Sequence, residues 1–137
     1  MVRNIIRDNL LLMKSSAPAT KADLPSARDL ADTLMAHSHD CAGLAANMIG
    51  IFKSIIAVNV AGMPVVMLNP RIVSHSAESY DTEEGCLSLD GVRPVTRYRS
   101  IEVEYQDMML IKRRMSYSGF TAQAIQHEID HCKGILI

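Results

Sequence analysis

Residues 119–134 read Gly119-Phe120-Thr121-Ala122-Gln123-Ala124-Ile125-Gln126-His127-Glu128-Ile129-Asp130-His131-Cys132-Lys133-Gly134. Ala122, Ile125, Ile129 and Cys132 recur at helical spacing, and Gly134 suits a C-terminal cap, so the stretch is expected to form a helix starting near Gly119 or Phe120. At about 3.6 residues per turn, His127 and His131 share one face and can reach a single metal ion. Glu128 sits one step round, where it can take a proton from water without being a ligand. At about 100° per residue the apolar stripe lies nearly opposite the two histidines. The helix should therefore pack through its stripe on one side and against the surroundings of a metal on the other, with Cys132 as a small core residue. The other reading of these five residues is a surface helix carrying two solvated histidines.

Working outward, Gly134 to Ile137 are expected to add a short terminal strand. Upstream, Ile101, Val103 and Tyr105 alternate with Glu102, Glu104 and Gln106, a strand with one wet face. The chain should reverse at Asp107-Met108-Met109 and return over Leu110 to Tyr117, with Lys112, Arg113 and Arg114 on a solvated edge protected against sheet extension. Ser54 to Val60 and Pro64 to Pro70 read as a buried hairpin turning at Ala61-Gly62-Met63, its second strand bounded by prolines, with Arg71 to Ser76 as an extension and His75 exposed. Cys41 to Gly50 is dense in small residues and reads as a tightly packed turn, where Gly43 permits close approach of a backbone or ligand. An amphipathic helix carrying Leu24, Ala27, Leu30, Ala31, Leu34 and Met35 is expected to run to about His37, with Asp23 as its cap and Pro25 in its first turn. His37, His39 and Asp40 then form a solvated helix end. Asn4 to Thr20 reads as an extended arm with a turn at Ser15 to Pro18.

The 137 residues are 48% hydrophobic, enough for one core, so residues 1–137 are expected to form one domain. Fourteen basic and 15 acidic residues give a net charge of -1. No global field points to nucleic acid or an anionic membrane. The longest apolar runs fall far short of the ~20 residues of a bilayer span. Met1 to Asp8 lacks the apolar core of a signal peptide, and a cytoplasmic location is expected. Cys41, Cys86 and Cys132 form an odd set without a Cys-x-x-Cys pair, which favours reduced thiols or metal ligation over a disulfide framework.

Two histidines leave a catalytic ion short of protein ligands, since such sites commonly use three plus water. Glu83-Glu84-Gly85-Cys86-Leu87-Ser88-Leu89 holds the best candidate. Cys86 follows a glycine that allows close backbone approach and precedes a short alternating stretch near the helix. Alone it reads as a buried core thiol; beside His127 and His131 it reads as a soft anionic ligand. Zinc and ferrous iron both accept such a set.

Three segments in order, Gly43-Leu44-Ala45-Ala46, Glu84-Gly85-Cys86-Leu87-Ser88 and His127-Glu128-Ile129-Asp130-His131, resemble the peptide deformylases, and the resemblance spans about Leu24 to Leu136. It implies an α+β fold in which antiparallel strands surround a central metal-binding C-terminal helix, with an N-terminal amphipathic helix. It implies one divalent ion on Cys86, His127 and His131, ferrous in the cell, with zinc, nickel or cobalt able to replace it. Glu128 would be the catalytic acid/base, and the backbone N–H of Leu87 would donate to the oxyanion. Gly43 and Met48 would belong to the substrate-binding wall. Arg97 would hold a substrate carboxylate or shape the pocket mouth; a structural ion pair with Glu83 or Glu84 is its other reading. The reaction implied is removal of formate from the N-formylmethionine of peptides or nascent chains.

The resemblance has two gaps. The family's first motif reads Gly-x-Gly-Leu-Ala-Ala-x-Gln, whereas this chain has Cys41 for the first glycine and Met48 for the glutamine. That glutamine amide donates to the substrate oxygen, which a thioether cannot do, and loss of such a donor typically costs ~10²–10³ in rate. Asn47 carries an amide one position early, where it should point elsewhere. Many members also continue into a C-terminal helix beyond the third motif, which puts ribosome docking through such a tail in doubt. The expectation is a metallo-deformylase of reduced activity; the alternative is a catalytically silent relative that keeps the metal structurally or binds formylated peptides. A zinc peptidase accounts for the histidines but not for Cys86.

Overall fold

The computed structural model describes residues 1–137, whose chain forms an α+β fold. Three helices, α1 (Asn9–Leu12), α2 (Leu24–Ala36) and α3 (Gly119–Cys132), accompany seven strands. The strands are β1 (Gly43–Ala45), β2 (Ile55–Val60), β3 (Met63–His75), β4 (Ser79–Cys86), β5 (Leu89–Tyr98), β6 (Ser100–Gln106) and β7 (Lys112–Ser118). An antiparallel sheet takes the order β1-β2-β3-β6-β7, and β4 pairs with β5 in a separate ribbon.

In β2, four consecutive residues, Ile55 to Val58, are buried, so both faces of the strand are covered. Both α2 and α3 pack on it. α3 also reaches β1, β5, β6 and β7, which places the histidine helix in the middle of the molecule. Its stripe of Ala122, Ile125, Ile129 and Cys132 is buried as the periodicity predicts. No helix is long and apolar enough to cross a membrane.

Several elements differ from the sequence reading for identifiable reasons. β3 runs as one strand from Met63 through both prolines to His75, so the expected extension at Arg71 is continuous with the second hairpin strand. A register shift between Leu68 and Arg71 puts Pro70 in a bulge, where its missing N–H costs no ladder bond. Asn69 takes the left-handed conformation there at φ 53°, and its amide both accepts from and donates to the Ala19 backbone. The β2–β3 turn uses Ala61 and Gly62, both at positive φ, as a two-residue hairpin turn requires. The N-terminal arm is not wholly extended: Asp8 caps the single turn of α1, and Leu12 is fully buried. Asp23 stands at the N-cap of α2, but its carboxylate accepts from Thr20 N–H and so closes the preceding 3₁₀ turn instead.

Residues 135–137 form no strand, contrary to expectation. The β6–β7 reversal falls where expected. Asp107 accepts from Met109 and Ile111 N–H, and Leu110 adopts φ 63°, so β7 starts only at Lys112. β7 is a sheet edge, and its basic triplet pairs with Glu104, Asp107 and Glu102. The β4–β5 ribbon was not foreseen, because Ser79 to Cys86 has no apolar alternation and Glu84 is its one buried residue.

Candidate metal centre

One turn of α3 separates His127 from His131, and the last residue of β4 brings Cys86 to them. Their ligand atoms all lie within 4.8 Å of one another. The two Nε2 atoms are 3.0 Å apart, and Cys86 Sγ is 3.4 Å from Nε2 of His131. Atoms bound to one tetrahedral ion at ~2.0–2.3 Å stand roughly 3.3–3.6 Å apart, so the cluster is close to the spacing a single ion imposes. One thiolate and two imidazoles suit a divalent transition metal.

Burial, then the neighbouring His127, pushes His131 down to about 3, keeping it a neutral donor. Burial opposes protonation of His127 too, but hydrogen bonds to Cys86 and Glu84 outweigh it and lift the group to about 10.

Behind His127 stands a second layer. Glu84 Oε1 lies 2.7 Å from His127 Nδ1, which leaves Nε2 turned toward Cys86 and His131. Burial disfavours the Glu84 carboxylate, yet hydrogen bonds from His127 and Arg97 prevail and hold it at about 2. Arg97 donates to Glu84 through Nε and Nη2 and to Asp130 through Nη1 at 2.7 Å. Arg97 is therefore a buried ion-pair residue, the second of its two readings. Its donors face Glu84 and Asp130 behind His127, and it is not among the residues lining the cavity.

A cavity of about 620 Å³ opens in front of Cys86 and His127. Gly43, Met48, Leu87 and Glu128 also line it. Glu128 is 4% exposed, and its Oε1 is buried without a hydrogen-bond partner. Burial foremost raises this carboxyl to about 7, a value suited to proton exchange near neutrality. Gly43 lies close beside it: a Cβ there would sit 3.0 Å from Glu128 Cγ and 3.1 Å from Oε2, so the carboxylate side chain would have to shift. Met48 is buried in the cavity wall, its Sδ accepting from Ala45 N–H at 3.5 Å. The Asn47 amide faces away and donates to the His131 carbonyl at 2.9 Å, bracing α3.

Sequence reasoning missed three contributors. Asp130, on α3, pairs with Arg97, and Asn47, whose amide points elsewhere as expected, braces α3 through the His131 carbonyl; periodicity reveals neither long-range role. Arg7 lines the cavity mouth and donates to the Leu87 carbonyl from 80 residues away, with no local motif to mark it.

Comparison with known proteins converges on one family. The family model described as polypeptide deformylase matches residues 2–137. A peptide deformylase of Clostridium beijerinckii is 47% identical over 137 residues, covering the whole of both chains. Among solved structures, a peptide deformylase from Legionella pneumophila superposes with a TM-score of 0.89 at 30% identity, covering 99% of this chain and 83% of that one. A class I type b peptide deformylase from Acinetobacter baumannii, bound to Met-Ala-Ser, gives 0.87 at 31% identity, covering 99% of this chain and 97% of that one.

Proposed function

Because the chain belongs to the polypeptide deformylase family, we propose that Cys86, His127 and His131 hold its metal ion and that Glu128 is its catalytic acid/base. The activity is hydrolysis of the formyl amide of N-formylmethionyl peptides, releasing formate and a free amine. The silent-relative reading is not favoured beside whole-length similarity to peptide deformylases. The observation that carries the residue assignment is the convergence of three ligand atoms beside the unpartnered, buried Oε1 of Glu128.

When bound, the ion supplies a Lewis acid that polarises a carbonyl and acidifies water. Glu128 accepts the proton of the attacking water and returns it to the nitrogen of the departing amine. The Leu87 N–H, not spent on a turn or loop hydrogen bond, donates to the oxygen that becomes negative in the tetrahedral state. Met48 provides no second donor there, so the reaction proceeds with one protein arm of the oxyanion hole. Glu84 and Arg97 hold the His127 ring in its ligating orientation.

Ferrous iron is the ion we assign in the cell, with zinc, nickel or cobalt able to enter the same donor set. Nascent chains in the cytoplasm are the substrate source this assignment implies. The test is formate release from formyl-Met-Ala-Ser by protein purified anaerobically with ferrous iron or nickel. Wild type should release formate and Glu128→Ala should not, while still binding one ion. Equal rates in the two proteins would remove Glu128 from the chemistry.

A further inference from the structure

The N-terminal arm is tied to two residues that line the cavity, Met48 and Leu87. Ile6 N–H donates to the Met48 carbonyl at 2.8 Å on one side. On the other, Arg7 Nη1 donates to the Leu87 carbonyl at 2.7 Å, while Nη2 pairs with Asp90. That carbonyl belongs to the peptide group joining Leu87 to Ser88. The N–H of the same peptide group points the opposite way and donates to Cys86 Sγ at 3.4 Å. A continuous line thus runs from a guanidinium at the rim, through one peptide unit, to the sulfur.

We propose that Arg7 is a positioning residue for the Cys86 thiolate, acting through the Leu87–Ser88 peptide. A charged donor on a carbonyl oxygen draws electron density from the amide nitrogen and makes the N–H a stronger donor. A stronger hydrogen bond to the thiolate lowers its electron donation to an ion and fixes its lone-pair direction. The same contact sets the orientation of Leu87, whose own N–H faces the reacting oxygen. Ser88 is almost fully buried, so water does not compete for this hydrogen bond. Arg7 itself is about half exposed.

The proposal rests on the assignment of Cys86 as a ligand, and spectroscopy separates the two. In the full-length protein loaded anaerobically with Co²⁺, the thiolate-to-cobalt charge-transfer band reports the sulfur directly. Arg7→Ala is expected to move the band to longer wavelength, because a sulfur released from its hydrogen bond gives up charge more easily. Arg7→Gln, a neutral donor, should fall between, and Arg7→Lys, which keeps a cationic donor, should return the band toward the wild-type position. Circular dichroism of each variant confirms that the fold is retained, and kcat should fall in the same order with KM little changed. Bands that coincide in wild type, Arg7→Ala and Arg7→Gln would overturn the relay while leaving Cys86 a ligand. A wild-type protein with cobalt bound but no such band would overturn the ligand assignment and the relay with it.

Discussion

Glu84 accepts a 2.7 Å hydrogen bond from Nδ1 of His127. The carboxylate thereby selects the tautomer whose Nε2 lone pair faces Cys86, and Arg97 prevents it from turning away. Glu84→Gln keeps the shape but loses the charge that favours this arrangement. We expect metal affinity to fall about 10–100-fold, the usual cost of losing a partner behind a ligating histidine. Competition with a chromogenic chelator measures it, and an unchanged affinity would refute the role given to Glu84.

Gly43 touches the other side of the site. An added Cβ would press on Glu128 Cγ at 3.0 Å and on the Ala57 carbonyl at 3.2 Å. The strand is fixed by its pairing with β2, so the flexible carboxylate must give way. A shift of a few tenths of an ångström misplaces the proton acceptor, and Gly43→Ala should lower kcat by at least about tenfold. Metal content should stay at the wild-type level, which distinguishes displaced Glu128 from a disrupted centre.

Cys41 lines the same cavity yet should be a poor nucleophile. Burial, then the charge of Glu128, pushes its thiol up to about 12. A raised thiol pKa means the protonated form persists through neutrality, and at about pH 8 only ~10⁻⁴ of the molecules carry the thiolate. Alkylation of Cys41 by iodoacetamide, followed by peptide mass spectrometry, should be slow near pH 7 and still climbing near pH 10. A midpoint near pH 9, with the rate levelling off by about pH 10, would mark an ordinary thiol and contradict the burial argument.

The end of α3 is locked to the N-terminal arm by Gly134. It adopts φ 77°, and a Cβ there would lie 2.3 Å from the Met13 carbonyl oxygen. Ser16 N–H donates to the Cys132 carbonyl at 2.8 Å beside it, so neither segment can withdraw cheaply. Gly134→Ala combines a strained conformation with a backbone clash and should cost about 2–4 kcal/mol. Urea denaturation would show this as a lower midpoint with an unchanged slope; an unmoved midpoint would rule it out.

Which of these features could be read in the chain follows from how local their causes are. α3 was legible because its apolar stripe and its histidines are set by one helical period. β6 and the β2–β3 hairpin were legible through alternation and the Ala61-Gly62 turn. β4 and β5 were not, since a two-stranded ribbon with Asp81, Thr82, Glu83 and Arg93 has little apolar face to show, although it carries Cys86. The Cys/His/His cluster is legible once Cys86 is set beside His127 and His131. Glu84 was named only as a partner for Arg97, because nothing in the spacing says that one carboxylate serves both Arg97 and His127. Arg7 left no trace, as its partner Leu87 lies 80 positions away.

Met48 poses the sharpest test of the chemistry. Its side chain is 1% exposed in the cavity wall, where a thioether offers no proton to a developing oxyanion. A glutamine would bring two N–H donors to the same wall. Its carbonyl also has a partner in place, because the Ala45 N–H that now meets Met48 Sδ can donate to Oε1 instead. The amide nitrogen is then the end directed at the cavity. Met48→Gln should therefore raise kcat by at least about tenfold, part of the ~10²–10³ that one such donor commonly supplies. Burying the amide when no substrate is bound should lower stability by about 1–3 kcal/mol, since its N–H groups have no fixed acceptor then. Met48→Leu keeps the volume without a donor and should match wild type in rate. Formate release at saturating formyl-Met-Ala-Ser decides the matter: a glutamine variant no faster than the leucine variant would mean that the cavity wall at this position does not face the reacting oxygen.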